Sequence, residues 1–160
     1  MREWFDDDCE GLEVSADATP IDFLCAIYRD ARQPMHRRMK AAIQTGQEGA
    51  YHRWRIRAKN LYYELQFLEP VWPKPLHRMV SRLSKLQDRI GLEHDLTVLR
   101  AELKKTPEAF GGIEAVQTIV SCIDLQTHKL RGAAEPLGHE IWRQKPRRFS
   151  RRLGRHWCKR

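Results

Sequence analysis

Basic side chains recur at helical spacing on four separate stretches of the chain. Arg29, Arg32, His36 and Lys40 step by three, four and four. His52, Arg55 and Lys59 step by three and four, with Tyr62 continuing the row. Arg78, Arg82, Lys85 and Arg89 step by four, three and four, and so do Arg148, Arg152, Arg155 and Lys159. On a helix, side chains three or four apart are neighbours about 5–6 Å apart, so each row is a rail of positive charge. Like charges at that spacing cost a helix a few tenths of a kcal/mol per pair. Four such rows, with few acids among them, point to an anionic partner that offsets the repulsion. The side-chain types suit phosphate: Arg presents a planar fork to two oxygens at once, and Lys is a mobile point charge. His36 and His52 would be mostly neutral near pH 7 and would gain protons as a polyanion approached.

Bond-making chemistry finds less support. His94-Asp95 has the composition of an acid/base pair, but sequence neighbours on a helix point about 100° apart. Asp95 is expected to cap or pair with a basic helix, and Glu48 to serve as favourable negative charge in a first turn. No metal-ligand spacing, phosphate-cradling glycine loop or nucleophile elbow occurs in the sequence. The expectation is a binding protein with no catalytic residues, metal or cofactor.

The elements that must carry these rows are helical, because glycines and prolines fall in a few clusters separated by long spans. Thr19-Pro20 predicts a helix start, with Pro34 kinking or breaking that helix. A break at 45–49 precedes a second helix over 50–68, which stops before the proline cluster 70–75. A third helix runs over 76–90 and ends at Gly91; a short fourth spans 93–103. Gly111-Gly112 opens a fifth segment that Gly132, Pro136, Gly138 and Pro146 could interrupt. The predicted apolar faces are Leu24, Ile27, Ala31 and Met35; Trp54, Ala58, Leu61, Leu65 and Leu68; Met79, Leu83, Leu86 and Ile90; and Phe149, Leu153 and Trp157. No alternating strand pattern is present, so the fold class is all-α.

The chain has 160 residues, enough for one domain, and 41% of them are hydrophobic, enough for one core. Mean hydropathy is −0.66, and no apolar run approaches the roughly 20 residues of a membrane span. The acidic start disfavours a secretory signal, and the spacing of Cys9, Cys25, Cys122 and Cys158 builds no zinc site or disulfide framework. A cytoplasmic protein is expected. The net charge of +8 is unevenly placed. Residues 143–160 hold nine bases and no acid, whereas residues 1–18 hold seven acids and one base. The domain division is therefore an acidic segment, 1–18, and a helical domain, 19–160, with a strongly basic end.

The stretch His52-Arg53-Trp54-Arg55-Ile56-Arg57-Ala58-Lys59-Asn60-Leu61-Tyr62-Tyr63-Glu64 resembles the signature of the CHAD family, the conserved histidine α-helical domain. His52, Arg55, Ile56, Lys59, Leu61 and Tyr63 match it; Tyr62 departs, where the family usually has Arg. The run from Leu83 to Asp95 is similar to the family's second, leucine-rich motif. The tail from Lys145 through Trp157 is similar to its closing basic helix. The resemblance implies a four-helix-bundle-like half of the usual two-bundle domain, with an additional short helix and a basic C-terminal helix. It also implies binding of inorganic polyphosphate, at polyphosphate granules in many members, without catalysis. The candidate polyphosphate ligands are Arg29, Arg32, His36, Lys40, His52, Arg55, Lys59, Arg78, Arg82, Lys85, Arg89, Arg148, Arg152 and Arg155. One set of motifs leaves the second wall of a basic channel to come from an identical chain, hence an expected homodimer. Nucleic acid is the competing polyanion, with Tyr62 and Tyr63 available to stack; a polyphosphate-processing enzyme is the less favoured alternative.

Overall fold

Thr19 closes its own helix end: its side chain accepts from the Asp22 amide, and its amide donates to the Asp22 carboxylate at 3.0 Å. The Thr19 hydroxyl, which donates to Asp22 Oδ2 at 2.6 Å, and then the Thr19 amide hold the Asp22 carboxyl below the usual carboxylate range. The helix they start, α1, spans Pro20–Thr45, and the computed structural model describes residues 19–157 apart from residue 144. The acidic segment 1–18, Lys159, and the side chains of Leu24 and Trp157 lie outside the described residues. Gly46 ends α1 in the left-handed conformation at φ 64°, its amide bonded to the Ala42 carbonyl, and α2 follows over Glu48–Leu68. A 3-10 turn at Glu69–Val71 leads to α3, Pro73–Lys105. A second 3-10 turn, Pro107–Phe110, and Gly111-Gly112 lead to α4, Ile113–Trp142; α5 spans Pro146–Trp157.

Helices α1 to α4 pack in sequence, each on the next, and α4 closes the bundle against α1. The predicted α2 and α3 faces are all buried, as are Phe149 and Leu153 of α5. Among the described residues no strand occurs, and no helix is long and apolar enough to cross a membrane.

Five predicted breaks are absent. Pro34 lies inside an uninterrupted α1. It removes one backbone bond, at roughly 3 kcal/mol, but the helix is clamped on both sides by buried Tyr28, Met35 and Met39. Gly91 does not end α3, so the third and fourth predicted helices are one helix of 33 residues. A glycine costs a helix about 1 kcal/mol, which the burial of Ile90, Glu93 and Leu103 on either side outweighs. Gly132, Pro136 and Gly138 likewise sit within α4, and only the Pro146 break is real. Gly138 has a packing role: a Cβ there would lie 2.5 Å from Met39 Sδ and 2.8 Å from Trp54 Cζ2, so its lack of a side chain lets α4 close on α1 and α2.

The buried stripe of α1 also differs from expectation. It is Tyr28, Arg32, Met35, Met39 and Ala42, stepping by four, three, four and three, with Ile27 and Ala31 only partly buried. The main core gathers side chains of all five helices, most of them from α2 and α3. A second, smaller cluster of Leu103, Val116 and Ile123, flanked by Leu96 and Val120, sits at the tip of the α3–α4 hairpin.

Candidate functional site

Helix α5 is held by Phe149 and Leu153, both fully buried, with the Phe149 ring stacked on Tyr28 at 3.8 Å. Its other side is cationic. Lys145, Arg148, Arg151, Arg152 and Arg155 line a surface depression of about 500 Å³. All five are exposed, and among the described residues none forms an ion pair with a carboxylate. Their helical positions fall within an arc of about 120°. Arg152 lies 6.0 Å from the Trp72 ring centre, and His156 stacks on the same ring at 5.2 Å. The predicted row contributes Arg148, Arg152 and Arg155 to this cationic surface. Lys145 and Arg151 were not among the predicted ligands. Their signal was nonetheless in the sequence, since Arg151 stands three residues from Arg148 and four from Arg155.

The α3 row is partly free. Arg78, Lys85 and Arg89 are exposed and without an ion pair among the described residues. Arg82 is not free: it pairs with Glu140 of α4 at 2.6 Å. The α2 row lies half-buried beside α3 rather than on an outer face. The His52 ring is 4.8 Å from the His94 ring, and Arg55 lies against Gly91, 3.9 Å from where a Cβ would be. Lys59 sits 5.9 Å over the Tyr63 ring.

The α1 row is not a rail. Arg32 is 2% exposed, donates to the Trp142 carbonyl and lies 3.6 Å over the Trp142 ring. Its side chain belongs to the core, so it leaves the set of surface ligands. Beside it Tyr28 is pushed up to about 12, by burial first, with the Arg32 charge opposing the shift. Neither Arg32 Nε nor the Tyr28 hydroxyl reaches hydrogen-bonding geometry. His36 also stacks on Trp142, 3.4 Å from its ring centre. Burial, followed by Lys40, Arg32 and His139, holds its pKa below the ordinary imidazole value, so it is neutral near pH 7. Arg29 lies 3.5 Å from Asp30, and Lys40 is exposed.

Asp95 corrects another expectation, for it stands exposed in mid-α3, capping nothing and paired with nothing among the described residues. The working acid nearby is Glu93, 2% exposed, which accepts from Arg131 Nε at 2.9 Å and Nη2 at 2.6 Å. Arg131 also donates to the Gly46 carbonyl at 2.7 Å, so this pair fastens α3 and α4 to the α1–α2 turn. Arg100 does the same two turns on, reaching Glu48 of α2 and Asp124 of α4. Glu48 does stand in the first turn of α2, as predicted. Among the described residues no group of three or more His, Cys, Asp or Glu is placed to hold a metal.

With this geometry in hand, comparison with family models gives one match: the CHAD domain, over residues 1–104. The chain belongs to the CHAD domain family. No match was found among curated proteins or among solved structures. The CHAD match takes in the His52–Lys59 row, the α3 row and the first residues of the chain, and stops one residue short of the end of α3. The resemblance predicted for the tail is therefore not carried by the family match. In this CHAD protein, α4 and the cationic α5 lie beyond the matched span.

Proposed function

We propose that this CHAD protein binds inorganic polyphosphate by charge density, and that it acts as a binding or scaffolding module at polyphosphate granules rather than as an enzyme. The observation that carries the reading is the α5 surface: five exposed cations on one arc, with no paired carboxylate among the described residues. Within α5, Arg148, Arg151, Arg152 and Arg155 form four like-charge pairs three or four residues apart, opposing the helix by about 1 kcal/mol in all. Buried Phe149 and Leu153 hold the helix against that cost. A linear polyanion removes the repulsion and gains bidentate Arg contacts. Arg78, Lys85 and Arg89 on α3 and Lys40 on α1 are further exposed cations, and Arg55 and Lys59 are half-buried ones; Arg32 and Arg82 drop out, because one is buried and the other paired.

The test is titration of the full chain with long-chain polyphosphate, DNA and RNA at matched salt. The reading expects the tightest binding to polyphosphate, and affinity falling linearly with the logarithm of salt, because each neutralised phosphate releases counterions. Tighter binding to single-stranded nucleic acid would transfer the surface to that polyanion. Phosphate release from polyphosphate with added divalent metal would overturn the non-enzymatic reading.

A further inference from the structure

Two contacts set how α4 lies along α1. Gly138 sits against Met39, where a Cβ would be 2.5 Å from the sulfur, and Trp142 stacks on the His36 ring at 3.4 Å with 3° between the planes. The Trp142 carbonyl also accepts from Arg32. The two helices therefore run antiparallel along this seam, and His139, between Gly138 and Trp142, stands beside the α1 turn from His36 to Lys40. Lys40 is one turn beyond His36 and about 40° around the helix, so the two share a side. Arg143 follows one turn past His139 on α4. His36 is half-buried, and Lys40, His139 and Arg143 are exposed.

The charged and titratable groups that act on His36 all oppose a proton on its ring. They are Lys40 and Arg32 on its own helix and His139 on α4, and they add to burial, the larger cause, in holding its pKa below the ordinary imidazole value. One carboxylate touches the group: Glu135 lies 3.6 Å from His139, one turn back on α4. Glu140, the next acid of that helix, is held by Arg82. Lys40 forms no ion pair among the described residues. An anion placed here would turn the balance on His36 from opposing a proton to favouring one.

We infer that this α1–α4 seam is a second phosphate contact, separate from α5 and gated by a proton: Lys40 and His139 take a phosphate group from two helices, and His36 joins them as an imidazolium. The polyphosphate reading supplies the source of that phosphate, while the contact itself needs only anionic oxygens within reach of these donors. The proton comes from solvent. His36 is neutral in the free protein near pH 7, and a bound phosphate raises its pKa, so binding tightens as pH falls. Between the free and the bound midpoints, each phosphate captured brings up to one proton with it; above the bound midpoint His36 contributes no charge.

The test follows the His36 ring signal by NMR in the full chain, assigned by its loss in His36→Gln, as pH is varied with and without inorganic tripolyphosphate. In the free protein the midpoint should lie below the ordinary imidazole value. With tripolyphosphate it should rise by about one pH unit, which corresponds to roughly 10-fold tighter binding at about pH 5 than at about pH 8. Arg148→Glu with Arg152→Glu and Arg155→Glu should leave that rise in place, because the seam does not use α5. Lys40→Gln with His139→Gln changes two exposed side chains and spares the Trp142 stack. It should raise the free midpoint, since two groups that oppose the proton are gone, and cut the rise with tripolyphosphate to less than about a third. A midpoint that tripolyphosphate leaves unmoved would overturn the seam site and leave polyphosphate binding at α5 standing. So would a rise that the α5 variant abolishes, or one that survives Lys40→Gln with His139→Gln. A rise with tripolyphosphate but no binding of the long chain would keep the seam as a phosphate site and overturn the polyphosphate reading instead.

Discussion

The two ends of this bundle are unfinished in opposite ways. Where α1 begins, α5 is docked through Phe149 and turns five cations outward without carboxylate partners among the described residues. Where α1 ends, the α3–α4 hairpin carries exposed aliphatic side chains over a core of three buried residues. α3 alone spans the contrast. Its positions 78, 82, 85 and 89 are Arg or Lys, and the same steps continued through 92, 96, 99 and 103 are all Leu. One helical face can therefore serve two kinds of contact in succession, and a periodicity reading is complete only when it follows chemistry as well as spacing along the face.

The comparison is tested first at the cores. Trp54→Ala removes a fully buried indole from the main core and should cost about 3–5 kcal/mol in denaturant unfolding. Ile123→Ala in the hairpin core should cost about 2 kcal/mol, because fewer neighbours surround it. Equal costs would mean that the hairpin tip is not a separate, lighter unit. The second test concerns charge. Arg148→Glu, Arg152→Glu and Arg155→Glu together should weaken polyphosphate binding roughly 100-fold at low salt. Lys104→Glu with Lys105→Glu, at the hairpin tip, should change it less than about 3-fold. Equal losses, read by titration, would reduce the α5 surface to unspecific attraction.

Two glycines of α4 sharpen the contrast further. Gly138→Ala should destabilise by about 1–3 kcal/mol because its Cβ would meet Trp54 and Met39. Gly132→Ala, with nothing within 4 Å of its Cβ, should stabilise by roughly 0.5–1 kcal/mol through helix propensity. Thermal melts of the two variants should move in opposite directions. The smallest expected effect is at Glu64, whose carboxyl is pushed up to about 7, by burial first and by Asp30 second. The native state thus holds this proton more tightly than the unfolded chain does. That stability is complete below the unfolded value near 4.5 and is lost as pH rises through 7. Glu64→Gln should accordingly raise the melting temperature by a few degrees at pH 8 and by almost nothing at pH 4.

The all-α fold, the α2 and α3 core faces and the α1–α2 break were legible in the sequence because each rests on local information. Trp54, Ala58, Leu61, Leu65 and Leu68 declare their face by spacing alone, and Gly46 ends a helix by adopting φ 64°. Gly91 has the same composition signal but ordinary helical geometry, and only the packing of residues on both sides decides between the two. Arg32 was misassigned for a related reason. Its partner, the Trp142 carbonyl, is 110 residues away, and no local pattern announces that a guanidinium will be covered. The Glu93–Arg131 pair, 38 residues apart, was hidden in the same way. The α5 cluster was the opposite case, since its five cations are neighbours in sequence and the spacing held the full answer.

The change of chemistry along α3 also makes ionic strength act as a sorting variable. The Debye length falls from about 30 Å at 0.01 M salt to about 3 Å at 1 M, below the roughly 5–6 Å between neighbouring cations of a row. On the proposed reading, Arg78, Lys85 and Arg89 would pass over that range from acting on a polyanion together to acting one at a time. Leu92 and Leu99, on the same helix, carry no charge for salt to screen. Salt would therefore weaken the charged end of this helix and leave its leucine end unaffected, so a single helix answers to ionic strength at one end and not at the other.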